Sequence, residues 1–289
     1  MKTSVCNRSD QRAARAVRIE TAFGAIACRV YPNDATQRAL LCVHGFNRTG
    51  RDFAPLAESL RAHCTVVTLD LPGRGDSTWF ADKNLYRPET YVEVAAQVIT
   101  ALGLARVDFL GSSLGGHVGM LLAARTGLVE RLIVNDMAPR LDKATFAALA
   151  RLTRWRHSFE SRDEAEGFLR ITQRGAGPMT DAEWASYTAS CTRPVASGEV
   201  EFDYDPDICV PLEDEAIGDR DLWPAWRSIR CPTLIIRGAE SDILTAEVAG
   251  QMVAAKPGAA LIEVEGGHPP HLLSPARIGT VAQWLFDFT

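Results

Sequence analysis

Residues 106–126 read RVDFLGSSLGGHVGMLLAART. The first seven form an apolar, strand-like run, and the residues from Ser113 onward have helical composition. At the junction, Gly111-Ser112-Ser113-Leu114-Gly115 fits the pattern Gly-x-Ser-x-Gly. Alone the pattern is weak. At a strand-to-helix handover it acquires a physical meaning: a serine on so sharp a turn has a strained backbone and an exposed hydroxyl, and the glycines let helix and strand approach closely. Ser113 would also stand at a helix N-terminus, whose free N–H groups favour developing negative charge. It is the candidate nucleophile.

Outward from this turn, strands and helices alternate. Residues 17–31 read as two short strands around a Gly-containing turn, and ALLCV (39–43), CTVVTLD (64–70) and RLIVND (131–136) as buried strands. Helices are expected over 51–63, 88–103 and 113–126. CPTLIIRG (231–238), a helix near 245–255, ALIEVEG (260–266) and a terminal helix near 275–287 resume the alternation. The fold class is therefore α/β, with a mostly parallel central sheet of about eight strands and helices on both faces. Residues 1–16 read as a loose tail, and 17–138 with 227–289 as the core. Residues 139–226 carry helical segments, no strong strand run and four of the six tryptophans, so a helical cap is expected before the last two strands. Such a cap would cover the C-terminal sheet edge, where open α/β sheets bind ligands. Trp155 and Trp184 are its candidate substrate contacts, and the tryptophans point to an apolar or aromatic substrate group.

Composition narrows the function further. Of 289 residues 46% are hydrophobic, and 31 basic against 36 acidic side chains leave a net charge of −5. Disorder is excluded, and no basic footprint for nucleic acid exists. No apolar run approaches the roughly 18 residues of a membrane span, and the N-terminal stretch has no apolar signal segment. Seven cysteines, an odd number without a Cys-x-x-Cys pair, suggest a reducing cytoplasm and no structural metal.

A serine nucleophile needs a base, and the base needs an orienting acid. Two strands deliver candidates to the same sheet edge as Ser113. CPTLIIRG runs into Ala239-Glu240-Ser241-Asp242, and ALIEVEG into Gly267-His268-Pro269. His268 is the expected base and Asp242 the expected acid. His271 is expected to make a packing or cap contact. The oxyanion hole would use the N–H of Leu114, after the nucleophile, and that of Phe46, in the loop after ALLCV. His44, in the same loop, is expected to bond to nearby structure.

The series HGF, LPGRGDS, GSSLGG, IVNDMAP, CPTLIIRGAESD and EGGHPP resembles the α/β-hydrolase superfamily, and within it bacterial esterase-like serine hydrolases with a helical cap. The resemblance covers nearly the whole chain after about residue 17. It places Ser113, Asp242 and His268 on the catalytic triad, and Phe46 and Leu114 on the oxyanion hole. Some members take the acid from the position of Asp136, which is the alternative. Relatives with an aspartate nucleophile are excluded by Ser113, and no HGxGPG loop is present. The implied function is hydrolysis of a small ester, lactone or related acyl compound without cofactor or metal. The partner is a small-molecule acyl substrate, with no nucleic acid and no membrane, and the chain would be a monomer or homodimer. Carbon–carbon bond hydrolysis or acyl transfer by the same triad, or small-molecule binding without turnover, are the alternatives. Arg48, in the loop after Phe46, could meet a substrate carboxylate through its planar fork.

Overall fold

The computed structural model describes residues 13–155, 157–213 and 218–286. Residues 1–12 of the expected tail lie outside that set, and residues 15 and 16 already belong to a strand. The first half of the chain supplies β1 (Arg15–Thr21), β2 (Gly24–Tyr31), β3 (Ala39–Val43), α1 (Ala54–Leu60), β4 (Thr65–Leu69), α2 (Pro88–Ala101), β5 (Val107–Ser112), α3 (Leu114–Arg125) and β6 (Val129–Asn135). An insertion follows: β7 (Arg140–Leu141), α4 (Lys143–Arg154), β8 (Ser158–Phe159), α5 (Arg162–Thr172), α6 (Asp181–Cys191), β9 (Thr192–Pro194), β10 (Val200–Phe202), α7 (Val210–Glu213) and β11 (Arg220–Asp221). The chain then returns through α8 (Trp223–Ser228), β12 (Thr233–Gly238), α9 (Ala246–Ala255), β13 (Ala260–Val264) and α10 (Pro275–Phe286).

The eight-stranded sheet runs β1-β2-β4-β3-β5-β6-β12-β13. Only β2 is reversed, pairing antiparallel with β1 and β4, and every other pairing is parallel. All five residues of β3 are buried, as expected of a strand covered on both faces. Its alternate side chains enter two cores. Leu41 and Val43 join the side of α2, α3 and α9, whereas Leu40 and Cys42 join the side of α1 and α10.

The close crossing at the centre depends on glycine. A Cβ on Gly115 would stand 2.1 Å from the Val43 carbonyl oxygen, and one on Gly111 2.1 Å from the Gly115 carbonyl oxygen. Any side chain there would push α3 off β3 and β5. The nine residues from Leu114 to Leu122 are all buried, so α3 is a core helix with no solvated face at that end.

The insertion carries short strands beside the expected cap helices. Strands β8, β10 and β9 form a small antiparallel sheet, and β7 pairs with β11. That last pair zips together the insertion's entry and exit. Strands of two or three residues carry no readable alternation, which is why the sequence pattern misses them. The returning segment docks on the turn at 71–77. Gly75 N–H donates to Asp203 O at 3.0 Å and Asp205 N–H to Gly73 O at 2.7 Å. No helix of the described residues is long and apolar enough to cross a membrane.

Two glycine replacements separate packing from propensity. Gly250, inside α9, has nothing within 4 Å of an added Cβ. Gly250→Ala is expected to raise stability by about 0.5–1 kcal/mol, and Gly115→Ala to lower it by about 3 kcal/mol or more. Urea unfolding of both variants measures the difference; equal effects would contradict this account of α3.

Candidate active site

The serine turn is built as its sequence implies. Ser113 follows β5 directly and has φ 51°, rare for a residue with a side chain. Its N–H donates to Asn135 O at 2.9 Å, which fixes the turn against the end of β6. Asp136 follows β6 directly and has φ 57°. Its N–H donates to Ile236 O of β12 at 2.8 Å. These are the two non-glycine residues with positive φ among the described residues. Strain of this kind costs on the order of 1–3 kcal/mol per residue and collects where geometry serves chemistry.

The two meet through His268, in the loop after β13. The Ser113 Oγ lies 2.8 Å from His268 Nε2, and His268 Nδ1 lies 2.8 Å from Asp136 Oδ2. An ionised carboxylate only accepts, so Nδ1 carries the imidazole proton and Nε2 is free to accept from the serine hydroxyl. Asp136 is fully buried, and its oxygens are saturated. Oδ1 accepts from Gly238 N–H at 2.8 Å, and Oδ2 also accepts from the Ser241 hydroxyl at 2.6 Å.

This corrects the expected acid. Asp242 is exposed and makes no ion pair with His268 among the described residues. The loop after β12 sends Ser241 inward to Asp136 instead, and Asp242 stands exposed at the cavity wall. The alternative, Asp136, is the carboxylate that His268 meets. Ser241, Gly238 and His117 were not singled out by sequence reasoning. Ser241 lies one residue from the favoured aspartate, and His117 lies one helical turn beyond the serine; those spacings were the available signals.

His117 and His44 brace the site as neutral groups. His117 Nε2–H donates to Ala138 O at 2.8 Å, holding the chain just past Asp136. Burial pushes its pKa down from 6.5 to about 4. His44 Nδ1–H donates to Gly45 O at 2.7 Å, while its Nε2 accepts from Leu71 N–H at 2.9 Å. Burial pushes His44 down to about 3, and its bonds to nearby structure in the loop after β3 are those expected. His271 Nε2–H donates to Pro178 O of the insertion at 2.9 Å, the expected contact.

Phe46 sits in the turn after β3 and Leu114 opens α3. Neither backbone N–H has a protein acceptor among the described residues, which suits an oxyanion site. A Cβ on Gly45 would stand 3.5 Å from Ser113 Cβ, so this loop runs against the serine.

A cavity of about 680 Å³ opens above these groups, between the sheet edge and the insertion. Its aromatic wall is made of phenylalanine and tyrosine, including Phe146, Phe168, Tyr187 and Tyr204. Neither expected tryptophan lines it. Trp155 is 71% exposed, and Trp184 is buried in a small core with Leu169 and Cys191. Trp184 thus fills the insertion's interior, and the assignment of both as substrate contacts is corrected. Arg48 does line the cavity, but its fork is occupied. Nε and Nη2 donate to Asp52 at 2.7 and 2.6 Å, and Nη2 also to the Ser190 hydroxyl at 2.9 Å. The guanidinium stacks 3.7 Å from the centre of the Tyr187 ring. It ties the loop to α6 and leaves no free fork for a substrate carboxylate.

A family model described as "Alpha/beta hydrolase family" matches residues 40–279. The chain belongs to the alpha/beta hydrolase family. This alpha/beta hydrolase is an enzyme with hydrolase activity, like its relatives. It is 33% identical over 269 residues to the 3-hydroxybutyrate-oligomer hydrolase of Cupriavidus necator, covering 90% of this chain and 92% of that one. It is 26% identical to the (E)-2-((N-methylformamido)methylene)succinate hydrolase of Acinetobacter baylyi, covering 85% and 89%. The solved structure of an alpha/beta hydrolase from Novosphingobium aromaticivorans superposes with a TM-score of 0.86 at 29% identity, covering 94% of this chain and 98% of that one.

Two variants of this hydrolase test the acid. Asp136→Asn, which removes the fixed tautomer, is expected to cost about four orders of magnitude in turnover, whereas Asp242→Asn should keep it within a factor of about three. The reverse ranking, in folded proteins, would return the role to Asp242. A third variant tests the bracing histidine. Between pH 6.5 and 4 the unfolded chain protonates residue 117 and the folded chain does not, so stability falls as pH falls through that window. Relative to His117→Gln, the wild type is expected to lose about 2 kcal/mol more on going from pH 7 to pH 5. Parallel pH curves in urea unfolding would show that His117 is not held neutral.

Proposed function

We propose that this hydrolase cleaves short, uncharged hydroxyacyl esters through an acyl-enzyme on Ser113. The observation that carries the proposal is the unbroken chain Ser113 Oγ, His268 Nε2, His268 Nδ1, Asp136 Oδ2, with both hydrogen bonds at 2.8 Å, beneath a cavity lined mostly by apolar surface. His268 takes the serine proton as Oγ attacks the acyl carbon. Asp136 keeps the imidazole in one tautomer and stabilises the imidazolium. The N–H groups of Phe46 and Leu114 stabilise the oxygen that becomes negative. His268 Nε2–H then protonates the departing alkoxide. Water enters, gives its proton to Nε2, and attacks the acyl carbon; collapse of that second intermediate releases the acid and restores Ser113. The sequence of steps requires no metal or organic cofactor.

The substrate class draws on the wall and on the relatives together. Both guanidinium groups in the wall are already paired, Arg48 with Asp52 and Arg220 with Glu89. Asp242, also in the wall, adds a carboxylate that disfavours an anion. A neutral ester linkage fits such a pocket, and the relative from Cupriavidus necator acts on a 3-hydroxybutyrate oligomer. A second reading follows the relative from Acinetobacter baylyi, whose named substrate is a succinate. Two carboxylates would need free cations, and the paired arginines favour the ester.

The test sets the methyl esters of linear 3-hydroxybutyrate dimers and trimers, p-nitrophenyl butyrate and an amidomethylene succinate before the purified protein. Turnover of the esters, lost by about 10⁴-fold or more in Ser113→Ala, is expected. Turnover of the succinate alone would overturn the ester reading in favour of the second.

A further inference from the structure

The turn Leu71-Pro72-Gly73-Arg74-Gly75 contributes nothing to the triad, yet it holds an unusual group. Arg74 is fully buried. Its Nε donates to Phe46 O at 2.8 Å, and its Nη1 to Pro72 O at 2.8 Å and to the Tyr91 hydroxyl at 2.6 Å. The Nη2 is buried without a partner. The rings of Phe46, Tyr86 and Tyr91 stand around the guanidinium, with centres 5.2, 5.8 and 5.2 Å away. No carboxylate forms an ion pair with it among the described residues, although most buried or half-buried arginines of the chain have one.

A buried cation without a counter-ion is costly, and apolar side chains of similar volume commonly fill such space with greater stability. Its position indicates what the charge does. Arg74 grips the carbonyl of Phe46, the residue whose N–H faces the oxyanion position. The preceding carbonyl, that of Gly45, is gripped by neutral His44. The two carbonyls on either side of the Phe46 N–H are therefore held from behind, one of them by a full positive charge. Rings rather than water separate that charge from the cavity, because Phe46, Tyr86 and Tyr91 line it. In so poorly screened a place, a fixed cation favours a negatively charged neighbour.

We propose that Arg74 is a positioning residue of the oxyanion site, fixing the Phe46 backbone and supplying positive potential that favours the tetrahedral anion over the neutral ester. The inference rests on the acyl-transfer reading above. An effect confined to the charged intermediate must appear in kcat and not in KM. It must appear equally in the affinity of a boronic acid, which forms a tetrahedral anion on the serine.

The experiment measures steady-state hydrolysis of p-nitrophenyl butyrate, inhibition by butylboronic acid, and Tm, for the wild type, Arg74→Met and Arg74→Lys. In Arg74→Met, kcat is expected to fall about 100-fold and boronate affinity in proportion, with KM within about threefold. Lysine restores the charge but not all three contacts, so Arg74→Lys should lose only about three- to tenfold in both. A folded Arg74→Met with wild-type kcat and boronate affinity, or with its loss in KM alone, overturns the proposal. So does an Arg74→Lys that loses as much as Arg74→Met. If Arg74→Met does not fold, Arg74→Lys decides. Matched losses in kcat and boronate affinity at constant KM support the role, and wild-type values overturn it. A wild type that neither hydrolyses the ester nor binds the boronate refutes the acyl-transfer reading itself. An active wild type with indifferent variants refutes only the role of Arg74.

Discussion

A single buried carboxylate organises the sheet edge. Asp136 receives Gly238 N–H and the Ser241 hydroxyl from the end of β12, and His268 from the loop after β13. Left unpaired, a charge in that place would be prohibitive. Three donors make it tolerable, and each fixes a different piece of chain. The arrangement depends on strand order, because β5, β6, β12 and β13 are consecutive neighbours in the sheet. Ser112 and Asn135 are register partners, so Ser113 and Asp136 are the next residues of two adjacent parallel strands. Both turn into positive φ at that point. The shared backbone twist lifts Ser113 and Asp136 off the sheet, to either side of one imidazole.

The strand and helix framework was legible because its signals are local. ALLCV coincides with β3, and Pro88 and Gly103 bracket α2 as a helix start and a turn residue with φ 69°. The pairing of Ser113 with His268 was legible for the same reason: each sits in a short motif at the end of a recognisable strand. The acid was not, because two aspartates follow two strand ends and the choice between them depends on which side chain the loop after β12 turns inward. That loop gives Ser241 to Asp136 and leaves Asp242 exposed at the cavity wall, a distinction that no spacing encodes. The tryptophans of the insertion mislead for a related reason. Trp184 packs on Leu169 and Cys191, and the helix pattern of 181–191 does not say which face meets α5. Arg74 was legible only as part of a turn, since its burial results from Tyr86, Tyr91 and Phe46 arriving from three separate segments.

The insertion is bonded to the loop after β3 as well as laid over it. The C-terminus of α6 presents carbonyls without helical partners, and such an end attracts cations and donors. The loop after Phe46 supplies them. Thr49 Oγ1–H donates to Ser190 O at 2.7 Å, Arg51 Nε–H to the same oxygen at 3.2 Å, and Arg48 Nη2–H to Tyr187 O at 3.1 Å. Arg51 also pairs with Asp203, on the segment that returns from the insertion. Residues 48–51 therefore join α6 to the backbone that carries the Phe46 N–H. A movement of α6 large enough to widen the cavity must break these bonds or carry the loop with it, and the loop is held on its other side by His44 and Arg74. The cavity roof and the Phe46 backbone are thus mechanically linked. Tyr187, which lines the cavity and stacks on Arg48, belongs to the same helix that these bonds join to the loop after Phe46.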